Sequence, residues 1–155
     1  HEIELVVALG EAALDVAEAA ALDCVYGYSV GIDLTRRDLQ NTARKAGMPW
    51  DMAKGFDFAA PCSAIQPADM MTHPLQGTIE LAVNGERRQS ALLTDLIWSV
   101  DEIIAALSRL VTLYPGDLIF TGTPDGVAAI EPGDKLEARI DDVGSLNAEI
   151  VPALK

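Results

Sequence analysis

Cysteine is scarce in this 155-residue chain, with only Cys24 and Cys62, far apart and without a CxxC spacing. That excludes a disulfide framework, and the pair reads as two buried thiols in a reducing cytoplasm. Long apolar runs are missing as well. Half of the residues are apolar, yet charges interrupt every run before the ~18 residues that a membrane span needs, and no secretory signal is read. Positive charge is short, at 11 Lys and Arg against 24 Asp and Glu, for a net charge of −13. So acidic a surface repels phosphate backbones and anionic lipid, which argues against a nucleic-acid or membrane partner. A small anionic substrate stays open, provided that a metal or a few Lys and Arg meet it locally. No repeat, low-complexity segment or linker divides residues 1–155, so one compact domain with a real core is expected. His1 leads straight into strand-like residues. A domain rarely begins inside a sheet, so an N-terminal portion is expected to be missing.

What is present reads as an α+β, mainly β domain. Residues 2–9 (EIELVVAL) start with alternation and end apolar, as a strand buried on one or both faces does. An Ala-rich helix is predicted over 14–24, and a strand with glycine kinks over 26–34 (YGYSVGIDL). Thr35 and Asp38 form a capping-box pattern for a helix that runs to Ala46 and stops at Gly47. The stretch KGFDFAAPCSAIQP is a loop leading into a short strand. Asn84-Gly85 between TIELAV and ERRQSA marks a β-hairpin with a type I′ turn. Ser99 with Glu102 caps another helix, whose apolar positions Ile103, Ile104, Leu107 and Leu110 share a face. DLIFTG, DKLEARI and LNAEIV complete the strands. Trp50 and Trp98 read as packing residues, and His73 as a surface residue in a Pro-flanked loop.

Glu2 and Glu4 stand two apart in a strand, so their side chains project from one face. Such a pair is either a solvated strand face or a pair with a counter-ion. The apolar run Leu5 to Leu9 places the strand in the core, and carboxylates on a core strand need a cation. Asp33 ends the next strand, directly before a helix, and can be a cap or a third ligand. Three carboxylates without His or Cys make a hard oxygen site, suited to Mg²⁺, Mn²⁺ or Ca²⁺ and not to zinc. TGTPDG is glycine-rich but lacks the Lys and following helix of a phosphate loop.

HEIEL, GYSVGIDLTRRDLQ, PWDMAKGFDFAAP, the NGE hairpin, PGDLIFTGTPDGV and PGDKLEARI together closely resemble the fumarylacetoacetate hydrolase family. The match covers nearly the whole chain, in the family's order. The resemblance implies a mixed β-sandwich roll and a homodimer. It also implies a metal held by Glu2, Glu4 and Asp33, with Lys54 and Gln40 as catalytic residues. Thr123, Gly122 and Arg37 would face the substrate, although Arg37 can equally be structural and Lys54 a solvated surface lysine. Asp57 is a candidate ion-pair partner of Lys54.

The activity implied is metal-dependent hydrolysis of a carbon–carbon bond in a 2,4-dioxo acid. The wording of DLTRRDLQ, KGFD and AAPCSAIQP is similar to the fumarylpyruvate-cleaving branch, which serves gentisate-type aromatic breakdown. The same family holds oxaloacetate decarboxylases and 2-oxo acid isomerases, and an inactive metal-binding scaffold is a further alternative. The family's water-activating His and acidic pair is expected upstream of residue 1, since neither His1 nor His73 replaces it.

Overall fold

The computed structural model describes residues 1–74 and 76–152. Strands β1 (Ile3–Leu9), β2 (Val25–Ile32), β3 (Gln66–Pro67) and β6 (Leu118–Phe120) form one four-stranded sheet in the order β3-β2-β1-β6. Strands β4 (Thr78–Val83), β5 (Glu86–Leu92), β7 (Lys135–Ile140) and β8 (Gly144–Glu149) form the other, in the order β5-β4-β7-β8. The named strand pairs are antiparallel. The helices are α1 (Glu18–Ala21), α2 (Arg37–Ala46), α3 (Asp51–Lys54) and α4 (Val100–Ser108). The domain is therefore mainly β, as the sequence implies.

The two sheets bury their alternate residues against each other. Ile3, Leu5, Val7 and Leu9 of β1 meet Ile79, Leu81 and Val83 of β4 and Leu136, Ala138 and Ile140 of β7 in one core. The strands of the second sheet are half-solvated: β4 and β7 alternate buried and more open positions. β1 differs, because all seven of its residues are buried. Its outer face is covered where β2 carries no side chain. A Cβ at Gly31 would run into the Val6 side chain and come within 2.8 Å of the Phe120 ring. Gly31→Ala should therefore destabilise the fold by about 1–3 kcal/mol, the usual penalty of overpacking, as read from the midpoint of a urea transition.

The Asn84-Gly85 hairpin forms as expected, with φ of 54° and 79° at its two central residues. So does the capping box of Ser99 and Glu102 at the start of α4. Gly47 ends α2 in the left-handed conformation at φ 63°.

Other expectations fail for identifiable reasons. The helix over 14–24 shrinks to α1 and a 3₁₀ turn at Leu22–Cys24. Its first half is held elsewhere, since the Asp15 amide donates to the Ser108 carbonyl and the Val16 amide to Ser108 Oγ. Leu110 lies beyond the end of α4 and is 80% exposed. The Thr35 cap is absent, because α2 starts at Arg37 with no side-chain cap. Trp50 and Trp98 are exposed and not packed in the core. His73 is half-buried and hydrogen-bonded through Nδ1 to the hydroxyl of the fully buried Tyr28, while Leu75 of the same loop lies outside the described residues. Cys24 and Cys62 are free, the first buried and the second half-buried. Among the described residues no helix is long and apolar enough to cross a membrane.

Candidate metal centre

The register of β1 against β2 creates the site. Since Ile3, Leu5, Val7 and Leu9 point into the sandwich, Glu2 and Glu4 point out of the opposite face. Glu4 stands across from Gly31, and the Asp33 amide donates to the Glu2 carbonyl at 2.8 Å. The three acidic residues thus share one corner of one sheet face. One carboxylate oxygen from each lies within 4.8 Å of the others, with Glu2 and Glu4 buried.

Two cations reach the cluster. The Lys54 ammonium, presented at the end of α3, donates to Glu2 Oε2 at 2.7 Å, to Thr35 Oγ1 at 2.8 Å and to Asp33. Asp57 is exposed, and the pairing proposed for it falls to Glu2 and Asp33, which the fold brings closer. Arg37, in the first turn of α2, donates to Glu2 Oε1 and, through Nη1, to Gln40 Oε1 at 2.9 Å. Glu4 meets no cation among the described residues; it accepts only the Gly122 amide, at 2.6 Å. Gly122 can offer that amide because it sits at φ 102°, a conformation that favours glycine.

The charges respond accordingly. Burial raises the Glu4 carboxyl to about 7, aided by the neighbouring Asp33 and Glu2 and opposed by the Gly122 amide. Burial also lifts Asp33, more than its bond to Lys54 lowers it. At Glu2 burial pushes the same way, but Lys54 and Arg37 prevail and the carboxyl ends below its usual value. Lys54 is stabilised as the cation: burial disfavours its charge, and the bonds to Asp33 and Glu2 more than offset that. Glu4 is therefore the one of the three carboxylates with no cation in contact among the described residues. The donor set is oxygen-only and converges from one side, which fits a hard divalent cation.

A stability effect follows. Between pH 4.5 and about 7 the folded protein keeps a proton on Glu4 that the unfolded chain releases. Stability from this group is present below pH 4.5 and is lost as pH rises through 7, by on the order of 3 kcal/mol. Asp33 acts in the same direction and Glu2 in the opposite one. Denaturant titrations in chelator at pH 5 and pH 8 check this, and equal stabilities for the parent and a Glu4→Gln variant at both pH values would refute it.

Thr123 lies in the loop after β6, next to Gly122, and its Oγ1 accepts from Gln89 Nε2 at 2.8 Å. Gln89 was not anticipated from the sequence; it is 1% exposed and also accepts from the Ile3 amide at 3.1 Å. The same loop borders a groove of about 830 Å³, lined in part by Leu92, Trp98, Ile103, Gly122 and Thr123. None of the three acidic side chains lines it. The site residues thus form one continuous set from Gln40 through Arg37, Glu2, Lys54 and Asp33 to Glu4 and Gly122, with Thr123 at its edge.

The model of the fumarylacetoacetate (FAA) hydrolase C-terminal region matches residues 1–151. This chain belongs to the fumarylacetoacetate hydrolase family. Within that family it is 45% identical over 153 residues to a fumarylpyruvate hydrolase of a Ralstonia species, covering 99% of this chain and 79% of the relative. It is also 43% identical over 150 residues to the mitochondrial oxaloacetate tautomerase of Rattus norvegicus, covering 97% and 68%. The crystal structure of fumarylpyruvate hydrolase from Pseudomonas aeruginosa, in complex with Mn²⁺ and pyruvate, superposes with a TM-score of 0.96 at 46% identity. That superposition covers 98% of this chain and 65% of the other. Relatives in this family are therefore enzymes, and at least one binds a divalent metal together with a 2-oxo acid.

Proposed function

We propose that this family member is the core of a metal-dependent hydrolase that cleaves fumarylpyruvate, a 2,4-dioxo acid, into fumarate and pyruvate. The observation that carries the reading is the convergence of Glu2, Glu4 and Asp33 on one sheet face beside the half-buried Lys54. The similarity to a fumarylpyruvate hydrolase supports the choice of substrate. Glu2, Glu4 and Asp33 would hold Mg²⁺, Mn²⁺ or Ca²⁺. The cation would supply Lewis acidity toward a chelated 2-oxo acid. Lys54 places a fixed positive charge where negative charge develops on the substrate. Arg37 holds the Gln40 amide in one orientation beside the carboxylates, from which Gln40 would orient the substrate or the attacking water. Gly122 and Thr123 would receive the substrate carboxylate. The His1 ring is bonded to Gln89 and His73 to Tyr28, so neither is offered as the base that activates water.

A second reading is tautomerisation or decarboxylation of oxaloacetate, favoured by the 43% identity to an oxaloacetate tautomerase. Both chemistries stabilise an enolate of a 2-oxo acid, so the product decides. The full-length protein with Mn²⁺ should consume the enol absorbance of fumarylpyruvate and release fumarate and pyruvate in equal amounts. Tautomerisation of oxaloacetate or release of carbon dioxide from it, without cleavage of the diketone, overturns the first reading. Failure of the Mn²⁺-loaded protein to bind oxalate overturns both and leaves a metal-binding scaffold.

The partner expected beyond the substrate is a second copy. Ile97 is 95% exposed, Trp98 55% and Leu110 80%, and these apolar side chains are the contacts proposed for it. Light scattering should give twice the mass of one chain, and Trp98→Glu should shift the protein toward the monomer.

A further inference from the structure

We propose that Gln89 is a positioning residue that sets the polarity of the Thr123 hydroxyl, tying the Gly122–Pro124 loop to the start of β1 and leaving the hydroxyl proton for an anionic oxygen of the ligand. The inference rests on the reading of Thr123 as substrate-facing. Gln89 is the one buried residue of β5, and all four hydrogen-bonding positions of its amide are used. Oε1 accepts from the Ile3 amide at 3.1 Å and lies 3.0 Å from His1 Nδ1. Nε2 donates to Thr123 Oγ1 at 2.8 Å and to the Pro124 carbonyl at 2.9 Å.

The two ends of an amide are alike in shape, so its orientation can be reversed wherever its partners can both donate and accept. Here it cannot, because the Ile3 amide can only donate and the Pro124 carbonyl can only accept. Nε2 therefore faces Thr123 and offers no lone pair, so the threonine oxygen is the acceptor. The threonine proton must point elsewhere, and among the described residues it has no acceptor. A ligand carboxylate would fill that place. His1 is likewise fixed as the donor through Nδ1. The same amide grips Ile3, the residue between Glu2 and Glu4, so the carboxylate strand and the substrate loop move as one body.

A β-bulge makes this possible. Leu81 stands opposite Gln89 while Ala82 stands opposite Arg87, so Arg88 is the extra residue. Without it Arg88 would face inward where Gln89 now does. The loop is pressed onto the same spot, since a Cβ at Gly126 would collide with the Arg88 carbonyl.

The test combines Gln89→Met, Thr123→Val and the double variant in the full-length protein, with Mn²⁺ alone and then oxalate as titrants. Each single change should weaken oxalate about tenfold, the low end for a hydrogen bond to a charged group. Mn²⁺ affinity should stay within about threefold, and the double variant should be no worse than either single one. Losses that multiply in the double variant, or Mn²⁺ and oxalate affinities that fall together, overturn the proposal. Amide exchange at Gly122 reads the tie without any ligand. It should quicken about tenfold in Gln89→Met at unchanged global stability, and unchanged exchange overturns the proposal. Should the parent with Mn²⁺ bind no oxalate, the substrate reading falls while the exchange result still decides the tie. If Gln89→Met does not fold, Thr123→Val keeps the bonds of Gln89 to Ile3 and Pro124, and its oxalate affinity alone must fall about tenfold or the proposal is overturned.

Discussion

Replacing Glu4 with glutamine is expected to abolish tight divalent-cation binding while making the protein in chelator more resistant to heat. The two effects share one cause. Glu4 is buried, is raised to about 7, and has the Gly122 amide as its only partner among the described residues. As a carboxylate it brings uncompensated charge into a corner that already holds Glu2 and Asp33, a cost a divalent ion would offset. Glutamine keeps an oxygen for the Gly122 amide and removes the charge. Affinity for Mn²⁺ should fall by about a hundredfold or more, since even residues that only support metal ligands cost 10–100-fold when changed. In chelator at pH 8 the variant should gain on the order of 1–3 kcal/mol, a rise of several degrees in melting temperature. Calorimetric titration and melting curves with and without Mn²⁺ provide both numbers. A variant that binds Mn²⁺ like the parent would remove Glu4 from the metal set, and one that melts lower in chelator would refute the charge argument.

Lys54→Ala is expected to separate binding from turnover. The ammonium touches Glu2, Asp33 and Thr35 at once. Removing it takes a positive charge away from two proposed ligands, so Mn²⁺ affinity should hold or tighten. Turnover should fall about 10²–10³-fold, the loss typical when one preorganised charge is withdrawn from the reacting centre. Lys54→Arg should not restore it, because the planar guanidinium cannot donate to three oxygens arranged around a point. Without the cation both carboxylates lose the partner that favours their charged forms, so the metal-binding pH profile should shift upward. Steady-state kinetics beside Mn²⁺ titration measures the split. Activity that persists within about fivefold, or metal affinity lost together with activity, would return Lys54 to a structural role.

The sequence carries some of these features and hides others, depending on how far apart in the chain the interacting groups lie. Glu2 and Glu4 are legible because a two-residue spacing in a strand suffices to put them on one face. The hairpin is legible because Asn84 and Gly85 dictate their own turn. Asp33 joins them only through the pairing of β1 with β2, which the family resemblance supplied and local pattern could not. Thr35 misleads for the same reason. Its residue type suits a cap, but a lysine 19 positions later takes its hydroxyl. Gln89 was invisible because its inward orientation depends on a one-residue bulge beside it, in a strand whose ERRQ wording reads as solvent-facing. An inward phase for position 89, set by the register against Leu81, is the signal that would have found it.

The elements that hold the two halves of the site differ in how easily they come apart. β1 lies in the middle of its sheet between β2 and β6, with every residue buried, whereas α2 has no buried residue at all. Local opening follows burial, so α2 should detach at small cost and β1 only with the whole molecule. Glu2 and Glu4 therefore sit on or beside a strand that opens late, and Arg37 and Gln40 on a helix that opens readily. Loosening of α2 would carry Arg37 and Gln40 away from carboxylates that keep their positions.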